Sequence, residues 1–65
     1  MAKVNGKEVV IAAEMTVEKY LSEAGYPLSR IALEYNGRIL PKQQYSSTVI
    51  RGTDVIEIVS FVGGG

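Results

Sequence analysis

Few side chains in this 65-residue sequence are equipped for chemistry near neutral pH. There is no His and no Cys, so the usual general base and the best side-chain nucleophile are both missing. Carboxylates, lysines and tyrosines remain, but each would need a strongly shifted pKa in a buried pocket to act. A chain of this size has little volume for such a pocket. The composition therefore argues against a self-sufficient enzyme, and neither a bound cofactor nor a metal site is expected.

One further group stands out, the carboxylate of Gly65 at the end of Gly63-Gly64-Gly65. A triple glycine has ordinary explanations: a flexible end, a cloning remnant or a worn-down linker. Three physical points favour a working tail. Glycines carry no side chain and can thread a narrow channel in a partner. Such a tail orders only on binding, which suits transient engagement. It also directly follows the strongest strand signal in the chain. A free carboxylate is a poor electrophile, but joined to AMP it gains a good leaving group and becomes open to a sulfur nucleophile. The product, a thiocarboxylate, can donate sulfur. With no cysteine in the chain, any sulfur carried must sit on its end.

The elements that would position this group can be read from patterning. Asn5-Gly6 suits a type I′ turn and links Lys3-Val4 to Val9-Val10-Ile11, with a longer loop as the alternative because Lys7 and Glu8 are weak strand formers. Thr16 is a helix N-cap with Glu18 in the first turn. Val17, Tyr20, Leu21 and Ala24 form one apolar helical face, ended by Gly25 and Pro27. Ile31 to Leu40 is strand, interrupted at Asn36-Gly37, with Leu33 and Tyr35 on one face and Ala32 and Glu34 on the other. Pro41 to Tyr45 forms a turn or single 3₁₀ turn, and Arg51-Gly52-Thr53-Asp54 forms another. Val55 to Val62 is the strongest strand, with Ile56 and Ile58 facing one way and Glu57, Val59 and Phe61 the other. One helix laid across a mixed sheet, with the last strand central beside the first, is an α+β fold of the β-grasp type. The expected organisation is one domain over residues 1–62 followed by a tail at 63–65.

Seven basic residues balance seven acidic ones, with no basic stripe of the kind that binds nucleic acid. No apolar run approaches the roughly 20 residues that span a bilayer, and no signal peptide is evident. A soluble cytoplasmic protein is expected. The small size leaves stability marginal, since a domain of about 60 residues buries only about 60% of its unfolded surface.

Several segments, in this order and spacing, resemble the ThiS family of sulfur carriers in thiamine biosynthesis. They are Thr16-Val17-Glu18-Lys19-Tyr20-Leu21, Ala32-Leu33-Glu34-Tyr35-Asn36-Gly37, Ile39-Leu40-Pro41-Lys42, and Gly52-Thr53-Asp54 through Phe61-Val62-Gly63-Gly64-Gly65. The resemblance covers nearly the whole chain and implies the β-grasp fold. It further implies that the Gly65 carboxylate is adenylated by a ThiF-like enzyme using ATP. A cysteine desulfurase or other persulfide donor would then convert it to a thiocarboxylate, which a thiazole synthase of the ThiG type receives. Gly64 and Gly65 match the family's diglycine end, and Gly63 stands where the family accepts a small residue. Val59, Phe61 and Val62, beside the tail, are the candidate docking residues for these partners, with Glu34 and Glu57 as a polar rim. Other readings are a molybdopterin-type or other-pathway carrier, a ubiquitin-like protein modifier, and a β-grasp binding module with an inert tail. Ser60-Phe61-Val62 before the glycines, where the molybdopterin type tends to have prolines, favours the thiamine carrier.

Overall fold

Two Asn-Gly pairs set the frame of the sheet. In the computed structural model, which describes residues 1–61, Asn5 and Gly6 have φ of 51° and 82°, and Asn36 and Gly37 have φ of 53° and 85°. Two successive left-handed residues make a type I′ turn, whose twist matches that of a hairpin. The first pair joins β1 (Ala2–Val4) to β2 (Lys7–Val9), and the second joins β3 (Ile31–Tyr35) to β4 (Arg38–Ile39). The amino-terminal hairpin thus uses the two-residue turn, and Lys7 and Glu8 lie in the strand despite their weak propensity. They pair opposite Val4 and Lys3. Val10 and Ile11, expected in that strand, lie beyond it, and Val10 is largely exposed.

The helix α1 (Val17–Ala24) is bounded as its end signals require. Thr16 is extended, and its hydroxyl accepts from the Lys19 N–H at 3.1 Å. The two N–H groups before that one are also used: Val17 donates to the Thr48 carbonyl and Glu18 to the Tyr45 carbonyl. Gly25, at φ 86°, closes the other end, and the Tyr26 N–H reaches back to the Leu21 carbonyl at 2.9 Å. Val17 and Leu21 are buried against the sheet, whereas Ala24, expected on the same face, is exposed in the last turn.

Strand β5 (Val55–Ser60) completes a five-stranded sheet in the order β2-β1-β5-β3-β4. It runs parallel to β1 and antiparallel to β3. Its alternation buries Ile56 and Ile58 with Ala2, Val4, Ile31 and Leu33, beneath Val17 and Leu21 of the helix. The expected central last strand is therefore present. Val62, expected at its end, and the glycines at 63–65 lie outside the described residues, as does the expected boundary between domain and tail.

Between β4 and β5 the chain makes a long excursion over the start of the helix. Lys42–Gln44 is a 3₁₀ turn, as Pro41 to Tyr45 suggested, and a second one at Leu28–Arg30 was not expected. Tyr45 and Ile50 reach into the core from this excursion, and Ile50 ties back through its N–H to the Met15 carbonyl at 2.8 Å. Its far end is held by Asp54, which is buried. The Asp54 carboxylate accepts from the Tyr35 hydroxyl, from Asn36 Nδ2 at 3.0 Å and from the Arg51 N–H at 2.7 Å. Burial pushes Asp54 upward, but these hydrogen bonds and the Arg51 charge outweigh it, so the group sits below the ordinary 3.8. Tyr35 is pushed up to about 12 by burial first, then by its bond to the Asp54 carboxylate and that group's charge.

A depressed carboxylate contributes stability that is complete above its unfolded pKa and is lost as pH falls through the folded value. A raised tyrosine contributes stability that is complete below about 10 and is lost as pH rises toward about 12. Urea unfolding across pH should therefore show stability falling away below about pH 4, with Asp54→Asn flattening that acid limb. Asp54→Ala should cost about 2–3 kcal/mol near pH 7, because it takes the acceptor from the Arg51 N–H and Asn36 Nδ2 and leaves the Tyr35 hydroxyl only its 3.2 Å bond to the Val49 carbonyl.

The turn asparagines do more than bend the chain. Asn5 Oδ1 accepts from the Ile58 N–H at 2.7 Å, and Asn36 Oδ1 accepts from the Val55 N–H at 2.8 Å. Each hairpin turn thus grips the backbone of β5 from its own side. Asn5→Gly keeps a residue that accepts positive φ but removes the grip, so it isolates the hydrogen bond from the turn. It should lower the unfolding free energy by about 1 kcal/mol in urea titration.

Candidate functional site

The face of the sheet opposite the helix is built from the outward residues of β5 and their cross-strand partners. Val59 stands opposite Ala32, Glu57 opposite Glu34, and Glu34 in turn opposite Ile39 of β4. Phe61 continues the register, since its N–H donates to the Arg30 carbonyl at 2.7 Å. Val59 and Phe61 are 57% and 52% exposed, more than half of each side chain's surface being open to a partner. The structure thus places two of the three expected docking residues together at the carboxyl-terminal end of the central strand. The third, Val62, and the expected sulfur-carrying Gly65 with Gly63 and Gly64 lie outside the described residues.

Sequence reading missed one contributor to this face, Ile39. Ile39, 64% exposed, stands on the same face on β4, separated from β5 by Glu34 of β3, while Ala32, read onto this face from alternation, lies directly opposite Val59. The signal for Ile39 was the type I′ turn itself, which fixes the register and sets Ile39 opposite Glu34. The apolar positions are thus Val59, Phe61, Ala32 and Ile39, flanked by the two glutamates.

Glu34 and Glu57 face each other as a directly opposed pair of like charge. Such pairs destabilise a sheet by a few tenths to about 1 kcal/mol, and no salt bridge to either carboxylate is formed among the described residues. The free molecule therefore carries a small electrostatic cost on this face.

The described residues contain no group of acidic side chains placed to hold a metal ion, and they form no pocket. The titratable groups that move do so away from neutrality. Asp54 is lowered and Tyr35 raised, the reverse of what a general acid or base near pH 7 requires. Tyr20 is raised by burial and by Tyr26, and Tyr45 by burial. These groups serve packing and the closure of turns. What the described body offers chemically is a surface and a rigid strand that leads into the last four residues. No helix among the described residues is long and apolar enough to cross a membrane.

Parallel pairing of the first and last strands beneath a single helix makes the molecule a ubiquitin-like β-grasp domain. The ThiS family model matches residues 1–65, and the chain belongs to that family. It is 35% identical to the sulfur carrier protein ThiS of Bacillus subtilis, with the full length of both chains aligned. It is also similar to the crystal structure of the thiamine biosynthesis protein ThiS from Geobacter metallireducens, with a TM-score of 0.80 and 31% identity over 98% of this chain and 97% of that one. A thiazole synthase of Paramagnetospirillum magneticum is 42% identical over 62 residues, which are 95% of this chain. The chain spans only 19% of that enzyme's length.

Relieving the like-charge pair should be visible in the free protein. Glu57→Gln is expected to raise the unfolding free energy by a few tenths to about 1 kcal/mol in urea titration at low salt, and by less at high salt.

Proposed function

We propose that the chain is a sulfur carrier of thiamine biosynthesis and that Gly65 bears the sulfur. The observation that supports this most is the end-to-end similarity to the Bacillus subtilis sulfur carrier, with neither chain overhanging the other. The chemistry of the chain agrees: the body has no thiol and no imidazole, and its perturbed groups point away from catalysis.

In this reading the Gly65 carboxylate attacks the α-phosphate of ATP on a ThiF-like adenylating enzyme, and pyrophosphate leaves. The terminal sulfur of a persulfide, supplied by a cysteine desulfurase or another donor, then attacks the acyl carbon and AMP departs. A thiol cleaves the resulting acyl disulfide, which leaves a thiocarboxylate on Gly65 and a disulfide behind. The chain is a co-substrate in this sequence and not a catalyst; ATP is consumed by its partner. The acceptor is a thiazole synthase. Thiazole synthases of Paramagnetospirillum magneticum and Magnetococcus marinus each contain a stretch similar to this chain, which supports a working association between the two. Val59, Phe61 and Val62 form the docking surface, with Ile39 on the same sheet face across Glu34, and Gly63 and Gly64 bring the carboxylate into the partner's site. The proposed domain is residues 1–62, with 63–65 as the tail, and the reaction belongs in the cytoplasm, where ATP and persulfide donors meet.

Intact-protein mass spectrometry tests this directly. After incubation with ATP, a cognate adenylating enzyme and a persulfide donor, one oxygen should be replaced by sulfur, and the change should map to the carboxyl-terminal peptide. Deleting Gly64 and Gly65 should abolish it. The double variant Val59→Asp with Phe61→Asp should keep the fold and lower the rate at limiting enzyme at least tenfold, equivalent to about 1.4 kcal/mol of lost binding. An unchanged mass with a competent enzyme, or conjugates on other proteins as the main product, would overturn the proposal.

A further inference from the structure

The hydrogen-bond pattern along β5 leaves part of its backbone open. Residues of β5 bond alternately to either side. Toward β3, the Val55 carbonyl accepts from the Asn36 N–H, and the register continues to the Phe61 N–H, which donates to the Arg30 carbonyl. The even-numbered residues therefore face β1. There the Ile56 carbonyl accepts from the Asn5 N–H at 2.9 Å, and the Ile58 N–H donates to Asn5 Oδ1 at 2.7 Å. With that side-chain bond the β1 side ends, because β1 opposes β5 only at Val55 and Ile56 and the chain reverses at Asn5-Gly6. In a longer β1 the next backbone donor would be residue 7, but Lys7 is already turned into β2.

The Ile58 carbonyl and the N–H and carbonyl of Ser60 thus point to a side where, among the described residues, no strand pairs with them. The space there is open: Ser60, Asn5 and Gly6 are exposed, and a Cβ built on Gly6 meets nothing within 4 Å. A central strand has become, for its last residues, an edge. It lies beside the exposed Val59 and Phe61, and in sequence only Phe61 and Val62 separate it from the glycines.

Triglycine offers a partner no side chains, so any enzyme that grips it must do so through backbone N–H and carbonyl groups. Strand addition is the mode of recognition built from those groups. A backbone ladder also fixes register to a single residue. That accuracy is what a carboxylate needs if its oxygen is to meet the α-phosphate of a nucleotide.

We propose that the β1-facing edge of β5 at Ile58 and Ser60 receives an extended strand of the enzyme that adenylates Gly65. The ladder so formed extends the sheet of this chain into its partner and sets the register of the tail. The proposal rests on the sulfur-carrier reading and adds to it a specific mode of docking.

Ser60→Pro is the direct test. The Ser60 N–H makes no ladder bond to β3, so the substitution removes only the open donor and places a ring in the path of the incoming strand. With the full chain and its adenylating enzyme, ATP–pyrophosphate exchange should show the KM for Ser60→Pro raised at least tenfold. Ser60→Ala should stay within about twofold, because the backbone group is unchanged. Thermal unfolding and amide spectra report whether the proline variant keeps its fold. A second measurement needs no variant: the Ser60 amide should exchange rapidly with solvent in the free wild-type chain and become protected in the complex. A folded Ser60→Pro chain adenylated like wild type, or a wild-type complex whose Ser60 amide still exchanges freely, would overturn the proposal and leave the sulfur-carrier reading standing. Failure of the wild-type chain to be adenylated at all would overturn both.

Discussion

Along the first half of β5 there is a neighbour on each side, and each neighbour ends in an Asn-Gly turn whose asparagine reaches back to the central strand. Asn5 takes the Ile58 N–H and Asn36 takes the Val55 N–H, while their own N–H groups donate to the carbonyls of Ile56 and Val55. Asparagine suits this double task. It accepts the left-handed backbone that a type I′ turn demands, and its short amide still reaches a neighbouring strand. Glycine would satisfy the turn and lose the grip. A larger side chain would keep an acceptor only at the expense of the positive φ. Because β1 is only three residues long and faces β5 at only two positions, the Asn5 bond carries a share of the pairing that a longer strand would supply.

From that clamp the rest of the architecture follows. β5 contributes Ile56 and Ile58 to the core, and the helix lies over them through Val17 and Leu21. Asn36 also donates to Asp54, so the turn that holds β5 holds the end of the long excursion as well. The excursion in turn brings Tyr45 into the core and offers carbonyls to the first N–H groups of the helix. One connected set of hydrogen bonds thus ties the two hairpins, the central strand, the excursion and the helix start together. In a domain of this size such ties matter, because the area available for apolar burial is small.

The sequence made much of this legible wherever one residue answers to one local rule. Thr16 and Gly25 bounded the helix because caps act over three or four residues, and alternation in β5 sorted Ile56 and Ile58 from Val59 and Phe61. Where the cause is long-range, the reading stopped. Asn5 and Asn36 were visible as turn formers but not as clamps, since their second partners lie 53 and 19 residues away. Asp54 looked like an ordinary turn residue; its burial depends on Tyr35 and Asn36 closing over it. Tyr45 sits in a polar stretch with no periodicity, so nothing local marked it as core. Val10 and Ile11 carried strand propensity but had no partner to pair with once β1 proved so short. Of the candidate site, Val59 and Phe61 were legible from alternation alone, whereas Ile39 needed the register that only a folded hairpin fixes.

The short β1 has a consequence that reaches from folding to chemistry. A longer first strand would cover β5 to its end and stabilise the domain, and it would also bury the backbone edge at Ile58 and Ser60. The observed length stops the pairing at Asn5, where a side chain, not a strand, makes the last bond to β5. Stability is thus recovered by side-chain clamps placed before the edge begins, and the edge remains free for use. The same division governs reactivity. In the proposed role an activated acyl group and then a thiocarboxylate hang from Gly65, and a thiol in the body would compete with the incoming persulfide for the acyl carbon. A body without cysteine or histidine, whose perturbed tyrosine and aspartate are locked on each other, offers no such competitor. On this account the plainness of the folded domain is itself functional: it holds a strand, a face and an edge in place, and leaves the reaction to its end and to its partners.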